Sequence, residues 1–272
     1  MNDQNTEFLK ERLFYLGFGE KLNAELQRNI NAGRENFQLP IQAEYKKGEK
    51  AAVVKYEVDF SKSKTTDTYF LNKYTATLKG ADESKDKSQT FYINKGNGVT
   101  AKEAFNLLEG RAVYKKLVDR EDKPYQAWIQ LNFTEKDDNN NHKVQRYFPK
   151  YGFDLEKALS KLPVKELASD DRKAEIIKHL EKGNMPQVTY QRGENDEKMY
   201  LSTNPKERKV DVYDDQFRKQ FQGIREYQGE KNEVKEVKGE EQSASKKQKG
   251  KETGDDESGD SPKKGKGRKM SA

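Results

Sequence analysis

Side chains suited to chemistry are sparse in this chain. Histidine, the group that moves protons near neutral pH, occurs twice, at His142 and His179. Neither has a second histidine at the i+3 or i+4 spacing that places two metal ligands on one helix face. Both read as solvated surface residues. Asp137, Asn139 and Asn141 imitate the opening of a calcium loop. His142, however, stands where such a loop needs glycine for its sharp turn, and its twelfth position is Phe148 rather than a bidentate glutamate. Polar turn residues between two strands account for the run. Lys95-Gly96-Asn97-Gly98 precedes a helix start, where backbone amides can cradle a phosphate. It lacks the lysine and Ser or Thr that follow the last glycine of a P-loop. Asp170-Asp171 and Asp214-Asp215 read as helix caps, where an acid suits the helix dipole. With no cysteine, disulfides, thiolate metal sites and cysteine nucleophiles are excluded. No Gly-x-Ser-x-Gly, His-Glu-x-x-His or kinase set appears. The expectation is therefore no enzyme activity, no cofactor and no metal.

Two features point to binding instead. The first is Trp128. Tyr125, Ala127, Ile129, Leu131 and Phe133 form the apolar face of its strand, whereas Trp128 shares the opposite face with Gln126, Gln130 and Asn132. There it either stacks on a base or anchors a partner, or is covered by a helix or a neighbouring sheet. The second is the end of the chain. Lys246, Lys247, Lys249 and Lys251 form a basic block, followed by the acids Glu252, Asp255, Asp256, Glu257 and Asp260. Lys263, Lys264, Lys266, Arg268 and Lys269 close the chain without an acid among them. Such basic ends hold phosphate backbones without reading sequence. The bland alternative is a solubilising tail whose acids partly neutralise its bases.

These groups need a scaffold, and its elements are legible. Leu9, Leu13 and Leu16, then Leu22, Leu26 and Ile30, predict two helices separated near Gly17 and Gly19. Phe37, Leu39, Ile41, Ala43 and Tyr45 alternate with polar residues and predict a strand, placed at a sheet edge by Pro40. Further strands are expected near 54–60, 70–78 and 89–94. Thr100 and Glu103 form a capping box for a helix over 100–109. Strands near 112–118, 124–134 and 143–148 follow, then helices over 155–162 and 170–182, the latter with Ala174, Ile177 and Leu180 on its apolar face. Strands near 187–192, 197–202 and 209–213 come next, and Phe217, Phe221 and Ile224 suggest a last helical turn.

This order contains a weak repeat. Helices stop at Ala32-Gly33-Arg34, Glu109-Gly110-Arg111 and Lys182-Gly183-Asn184, spaced by 77 and 73 residues, and strands follow each stop. The fold class is thus α+β, built of three αβββ-like units of helix plus antiparallel meander. The units span 1–95, 96–165 with an extra helix, and 166–222, ahead of a disordered charged tail at 223–272. Composition sets that last boundary. Hydrophobic residues are 32% and charged residues 37% of 272, too polar for one dense core throughout. Of 28 aromatic residues only Tyr227 lies beyond 222. The net charge of +6 is mild for a dedicated nucleic-acid domain. Met1 to Lys10 has no apolar signal region, and the longest wholly aliphatic run is Ala51–Val54, so a cytoplasmic protein without membrane contact is expected.

Three stretches together carry a resemblance: 15–22 (YLGFGEKL), 100–111 (TAKEAFNLLEGR) and 151–157 (YGFDLEK), with 180–184 (LEKGN) beside them. Over most of residues 8–215 the chain resembles a family of uncharacterised Bacteroidota proteins often encoded in conjugative or other mobile elements. No catalytic residues come with that family. The resemblance implies context: bacterial cytoplasm and neighbours that handle DNA.

Three functions compete. The first is an accessory protein of a mobile element that touches nucleic acid through its basic tail. The second is a protein-interaction module using exposed sheet faces, with the tail as a spacer. The third, an enzyme, has no residue constellation behind it. The oligomeric state is open.

Overall fold

A computed structural model describes residues 3–47, 50–93, 98–119, 121–193 and 195–220. Residues 95–97 of the glycine-rich stretch, Phe221, Ile224 and the whole charged tail lie outside the described residues.

The fold is α+β, with three antiparallel meanders in chain order. Helices α1 (Asp3–Tyr15) and α2 (Asn23–Asn31) come first. Their spaced leucines are buried against sheet one, which comprises β1 (Asn36–Lys47), β2 (Lys50–Lys62), β3 (Tyr69–Leu78) and β4 (Lys87–Tyr92). β1 lies at an edge of the sheet, where a proline such as Pro40 is tolerated. Its inward residues Phe37, Leu39, Ile41 and Ala43 face Phe60, Val58, Tyr56 and Val54 of β2. Asn5 ties α1 down by accepting from Tyr69 N at 2.7 Å and donating to Tyr69 O at 3.0 Å.

Helix α3 (Ala101–Leu108) starts at the expected capping box. Thr100 Oγ1 accepts from Glu103 N, and Glu103 Oε2 accepts from Thr100 N at 2.9 Å. Sheet two follows with β5 (Val113–Val118), β6 (Pro124–Lys136) and β7 (His142–Tyr147). Then come a 3-10 turn (Pro149–Tyr151), α4 (Leu155–Leu159) and α5 (Asp170–Glu181). On α5 the side chains fully inside are Ile176 and Leu180, while Ala174 is exposed, a rotation from the expected face. Sheet three comprises β8 (Gln187–Arg192), β9 (Asn195–Asn204), β10 (Lys209–Tyr213) and the two-residue β11 (Lys219–Gln220).

The last helical turn expected at Phe217 is absent. Phe217 instead occupies a tight turn with φ 58°, and Asp214 Oδ1 accepts from Gln216 N and Arg218 N. Asp214 thus caps a turn rather than a helix. Asp170 and Asp171 do lie in the first turn of α5, where their charge suits the dipole, but Ser169 holds the cap position.

All described residues belong to one compact unit, and it holds two hydrophobic cores. The expected boundaries near 95 and 165 follow the sheets but not the cores, because sheet two is shared. Ile129 and Leu131 enter the first core, whereas Trp128 and Tyr147 enter the second with α4, α5 and sheet three. The repeat holds at the helix stops but not in strand number. The three described meanders carry four, three and four strands. At each stop the glycine has positive φ (64°, 86° and 74°) and donates to the carbonyl three residues back, and the next residue donates five back. This is one left-handed helix cap used three times.

Gly183 carries a second demand. A Cβ there would meet Ala112 O at 2.9 Å, Val113 Cγ2 at 3.0 Å and Asn106 Cβ at 3.1 Å, while one on Gly33 meets nothing within 4 Å. Gly33→Ala should cost only the left-handed backbone penalty of about 1–2 kcal/mol. Gly183→Ala should exceed it by a further ~1–3 kcal/mol, since the clash is with backbone and a packed core. Urea melts of the two variants measure this; equal costs would show that the cap of α5 does not seat against Asn106, Ala112 and Val113 as described.

Candidate nucleic-acid interface

Trp128 is not a docking residue. It is 6% exposed, lying 5.2 Å from the ring of Tyr114 on the paired strand and 5.4 Å, edge-on, from Phe153. Alternation left the face it shares with Gln126 and Gln130 either open to a partner or covered. The segment after β7 folds back over it and brings Phe153 and Leu155 down as a lid. The polar neighbours are consumed locally: Gln130 Nε2 donates to Gly110 O at 2.7 Å, and Gln126 Oε1 accepts from Tyr114. Of the two readings of Trp128, the covered one matches the structure, and Trp128 as a partner-binding residue gives way to core packing. Trp128→Ala should lose about 3–5 kcal/mol, the range for truncating buried aromatics. A loss within ~0.5 kcal/mol in a denaturant melt would instead mark a solvated ring.

His142 also departs from expectation. It is 9% exposed, edge-on to Phe133 at 4.8 Å, with Nδ1 buried and lacking a hydrogen-bond partner. Its backbone is held in an amide clasp between sheets one and two. His142 N donates to Gln89 Oε1 at 2.8 Å, and Thr90 N donates to Asn141 Oδ1 at 2.8 Å. The calcium-loop imitation is spent on the same turn, with Asp137 Oδ1 accepting from Asn139 N and Asn141 N. Burial first, then Lys136 and Lys87, hold the imidazole below its ordinary pKa. Charging His142 thus opposes folding, and its contribution is complete above the ordinary histidine range near ~6.5 and is lost as pH falls through the depressed value. Thermal melts from pH 7 downward should show wild type losing more stability than His142→Gln; parallel curves would refute the burial of this ring. His179 is exposed on α5, as expected.

The basic residues Lys246, Lys247, Lys249, Lys251, Lys263, Lys264, Lys266, Arg268 and Lys269 all lie outside the described residues. The folded part nevertheless offers an aromatic and cationic surface that spacing did not reveal. It wraps the end of β7. Tyr125 at the start of β6 lies 5.7 Å from Phe148, and Tyr147 lies 5.2 Å from Tyr151. Lys150 Nζ stands 6.0 Å from the Phe148 centroid, and the Arg208 guanidinium 4.7 Å from that of Tyr151. Tyr151 also donates to Lys206 O at 3.1 Å, fixing the 3-10 turn against sheet three. Phe148 and Tyr151 are each 38% exposed, and Arg146 is exposed on the same strand end. The one sequence signal was local: Phe148-Pro149-Lys150-Tyr151 sets rings and a cation side by side. Arg208 joins only through the fold.

Beside this rim a cleft of about 880 Å³ separates β4 from sheet two. Aliphatic side chains such as Leu117, Ile129 and Val144 floor it, and Tyr92, Tyr125, Arg146, Asp119 and Asp122 stand around it. Asp119 Oδ1 is occupied by the amides of Glu121 and Lys123. Among the described residues no group of three or more His, Asp or Glu is placed to hold a metal. No described helix is long and apolar enough to cross a membrane. No protein-family model matches the chain, and no curated protein or solved structure does so.

Proposed function

We propose that the protein is a non-enzymatic, sequence-tolerant binder of single-stranded nucleic acid, with the rim at the end of β7 as its folded contact and the basic tail as its electrostatic one. The observation that carries this reading is the pairing of half-exposed rings with cations at Phe148–Lys150 and Tyr151–Arg208. Bases stack on such rings for about 1–3 kcal/mol each, whatever their identity, while neighbouring cations hold the phosphates. The resemblance to mobile-element proteins supports an accessory role in bacterial cytoplasm beside DNA-handling neighbours.

A titration with a fluorescent single-stranded oligonucleotide at several salt concentrations tests it. Phe148→Ala and Tyr151→Ala should each weaken binding roughly tenfold or more without changing the salt slope. Replacing the five cations at Lys263, Lys264, Lys266, Arg268 and Lys269 by glutamine should flatten that slope by up to about 3.5, at roughly 0.7 per contact on a single strand. Unchanged affinity in both ring variants would remove the rim from the site. No binding at low salt would favour a second reading, a protein-interaction module. Its surface would then include α1 beside the expected sheet face, because Phe8, Phe14 and Tyr15 of α1 are 55%, 57% and 67% exposed, and Phe70 of β3 and Tyr92 of β4 are 49% and 54% exposed.

A further inference from the structure

A second cationic site lies where the three meanders meet. Lys46 comes from the end of β1, Lys102 from the first turn of α3 and Arg111 from just past its end, His179 and Asn184 close α5, and Tyr200 and Phe217 belong to sheet three and its last turn. Together they border a notch of about 340 Å³. None of the described residues bordering it is an acid. The nearest carboxylate to Arg111 is Glu109, whose Oε2 stands 3.6 Å from Nη1, beyond a hydrogen bond. Elsewhere in this charge-rich chain lysines sit directly on acids, as Lys115 does on Glu103 at 2.9 Å and Lys173 on Glu156 at 3.0 Å.

The notch is rigidly built. Arg111 is almost wholly enclosed, with its side chain 11% exposed. Its Nη2 donates to Asn106 Oδ1 at 2.6 Å, and its Nε is buried without a partner. Asn106, fully buried, donates to Lys182 O at 2.7 Å and to Asn184 Oδ1 at 3.0 Å. That leaves the Asn184 amide nitrogen, 3.3 Å from His179 Nδ1, as the donor. In neutral His179 the proton therefore sits on Nε2, on the far side of the ring. Lys102 is exposed along its stem, but its Nζ lies over two stacked rings, 4.4 Å from the Tyr45 centroid and 4.6 Å from that of Phe105. Burial of that nitrogen and then the charge of Arg111 depress its pKa to about 8, against a smaller opposing pull from Glu109. Glu109 pairs with Arg111, but no described acid pairs with Lys102, and like charges held together in this way disfavour the empty state, which an anion relieves. One wall is flat: the Tyr200 and Phe217 rings stack at 4.6 Å and 29°. Phe217 keeps that position with its backbone at φ 58°, a conformation that bulky residues rarely adopt.

We propose that this notch binds a nucleoside monophosphate, with the phosphate ester on Lys102, Arg111 and Lys46 and the base against the Tyr200–Phe217 stack. The space suits one nucleotide, not a strand, so this small-molecule site stands apart from the rim at β7.

The test uses the full-length protein with three probes: adenosine 5′-monophosphate, inorganic phosphate and adenosine. Calorimetry measures affinity, and amine acylation at pH 8 with peptide mass analysis reads Lys102 directly. At that pH about half of an amine with pKa ~8 is unprotonated, against under ~1% of an ordinary lysine. Lys102 should therefore acylate faster than Lys115 or Lys173, and the monophosphate should protect it. The monophosphate should bind at least about tenfold more tightly than either inorganic phosphate or adenosine. Lys102→Gln, on an exposed helix position, should lose about tenfold in monophosphate affinity with an unchanged melt, and Lys46→Gln less. Tyr200→Leu should bring the monophosphate down to the level of inorganic phosphate. Equal affinity for monophosphate and phosphate in wild type would overturn the base contact. Undiminished binding in Lys102→Gln, or acylation of Lys102 unaffected by the monophosphate, would overturn the site itself.

Discussion

β6 sends side chains into two cores at once, and the rest of the architecture answers to that constraint. Ile129 and Leu131 are 6% and 4% exposed on one face, and Trp128 is 6% exposed on the other. A sheet buried on both sides must be covered on both sides. The first face is served by α3 and sheet one. The second has only the short α4, α5 and sheet three, reached through the turn at Gly152. Trp128 is large enough that a missing lid would expose one of the biggest apolar surfaces in the protein. This accounts for the segment 148–162, which otherwise looks like an irregular insertion between two meanders. It turns over the end of β7 and lays Phe153, Leu155 and Leu159 onto the tryptophan side of the sheet.

Covering both faces brings the turn that caps α5 against α3, and polar groups fix how they meet. Glu103 caps its own helix and pairs with Lys115 on β5 at 2.9 Å. Asn106 reaches across to the carbonyl of Lys182 at the end of α5. Buried polar groups of this kind are costly unless every atom is engaged, and engaged they specify one arrangement over its neighbours. The glycine at 183 lets the α5 terminus come close enough for that bond. The same approach delivers His179, Asn184 and Met185 to Arg111, so the cationic notch is a by-product of the contact that joins the second and third meanders.

Local rules were readable wherever one element decides its own fate. Pro40 at an edge, Thr100 and Glu103 at a helix start, and glycines 33, 110 and 183 at helix stops all act through backbone geometry within a few residues. The α+β class and the run of antiparallel meanders follow from such signals. The misreadings share one cause: a second element arrives from far along the chain. Alternation left Trp128 open to either a partner or a cover, because nothing in residues 125–133 announces Phe153. Polarity made His142 a surface residue, because Gln89 reaches it from another sheet. The rim was hidden for the same reason, since Arg208 meets Tyr151 across 57 residues of sequence.

Net charge was the weakest guide of all. Residues 1–222 carry 40 bases and 36 acids, a balance that argues against a basic face. That count is blind to position: some bases are neutralised by an adjacent acid, as at Lys115–Glu103, Lys165–Asp196 and Lys219–Asp211, and others are not. What remains is decided by where cancellation fails. Lys102 has ring faces beneath it instead of a carboxylate, and Arg208 lies over Tyr151. An aromatic face holds a cation by its quadrupole while leaving the full positive charge to act on a third body. A carboxylate would have spent it. Replacing acids by rings as the local partners of a few bases therefore builds anion-attracting surfaces on a protein whose overall charge is close to neutral.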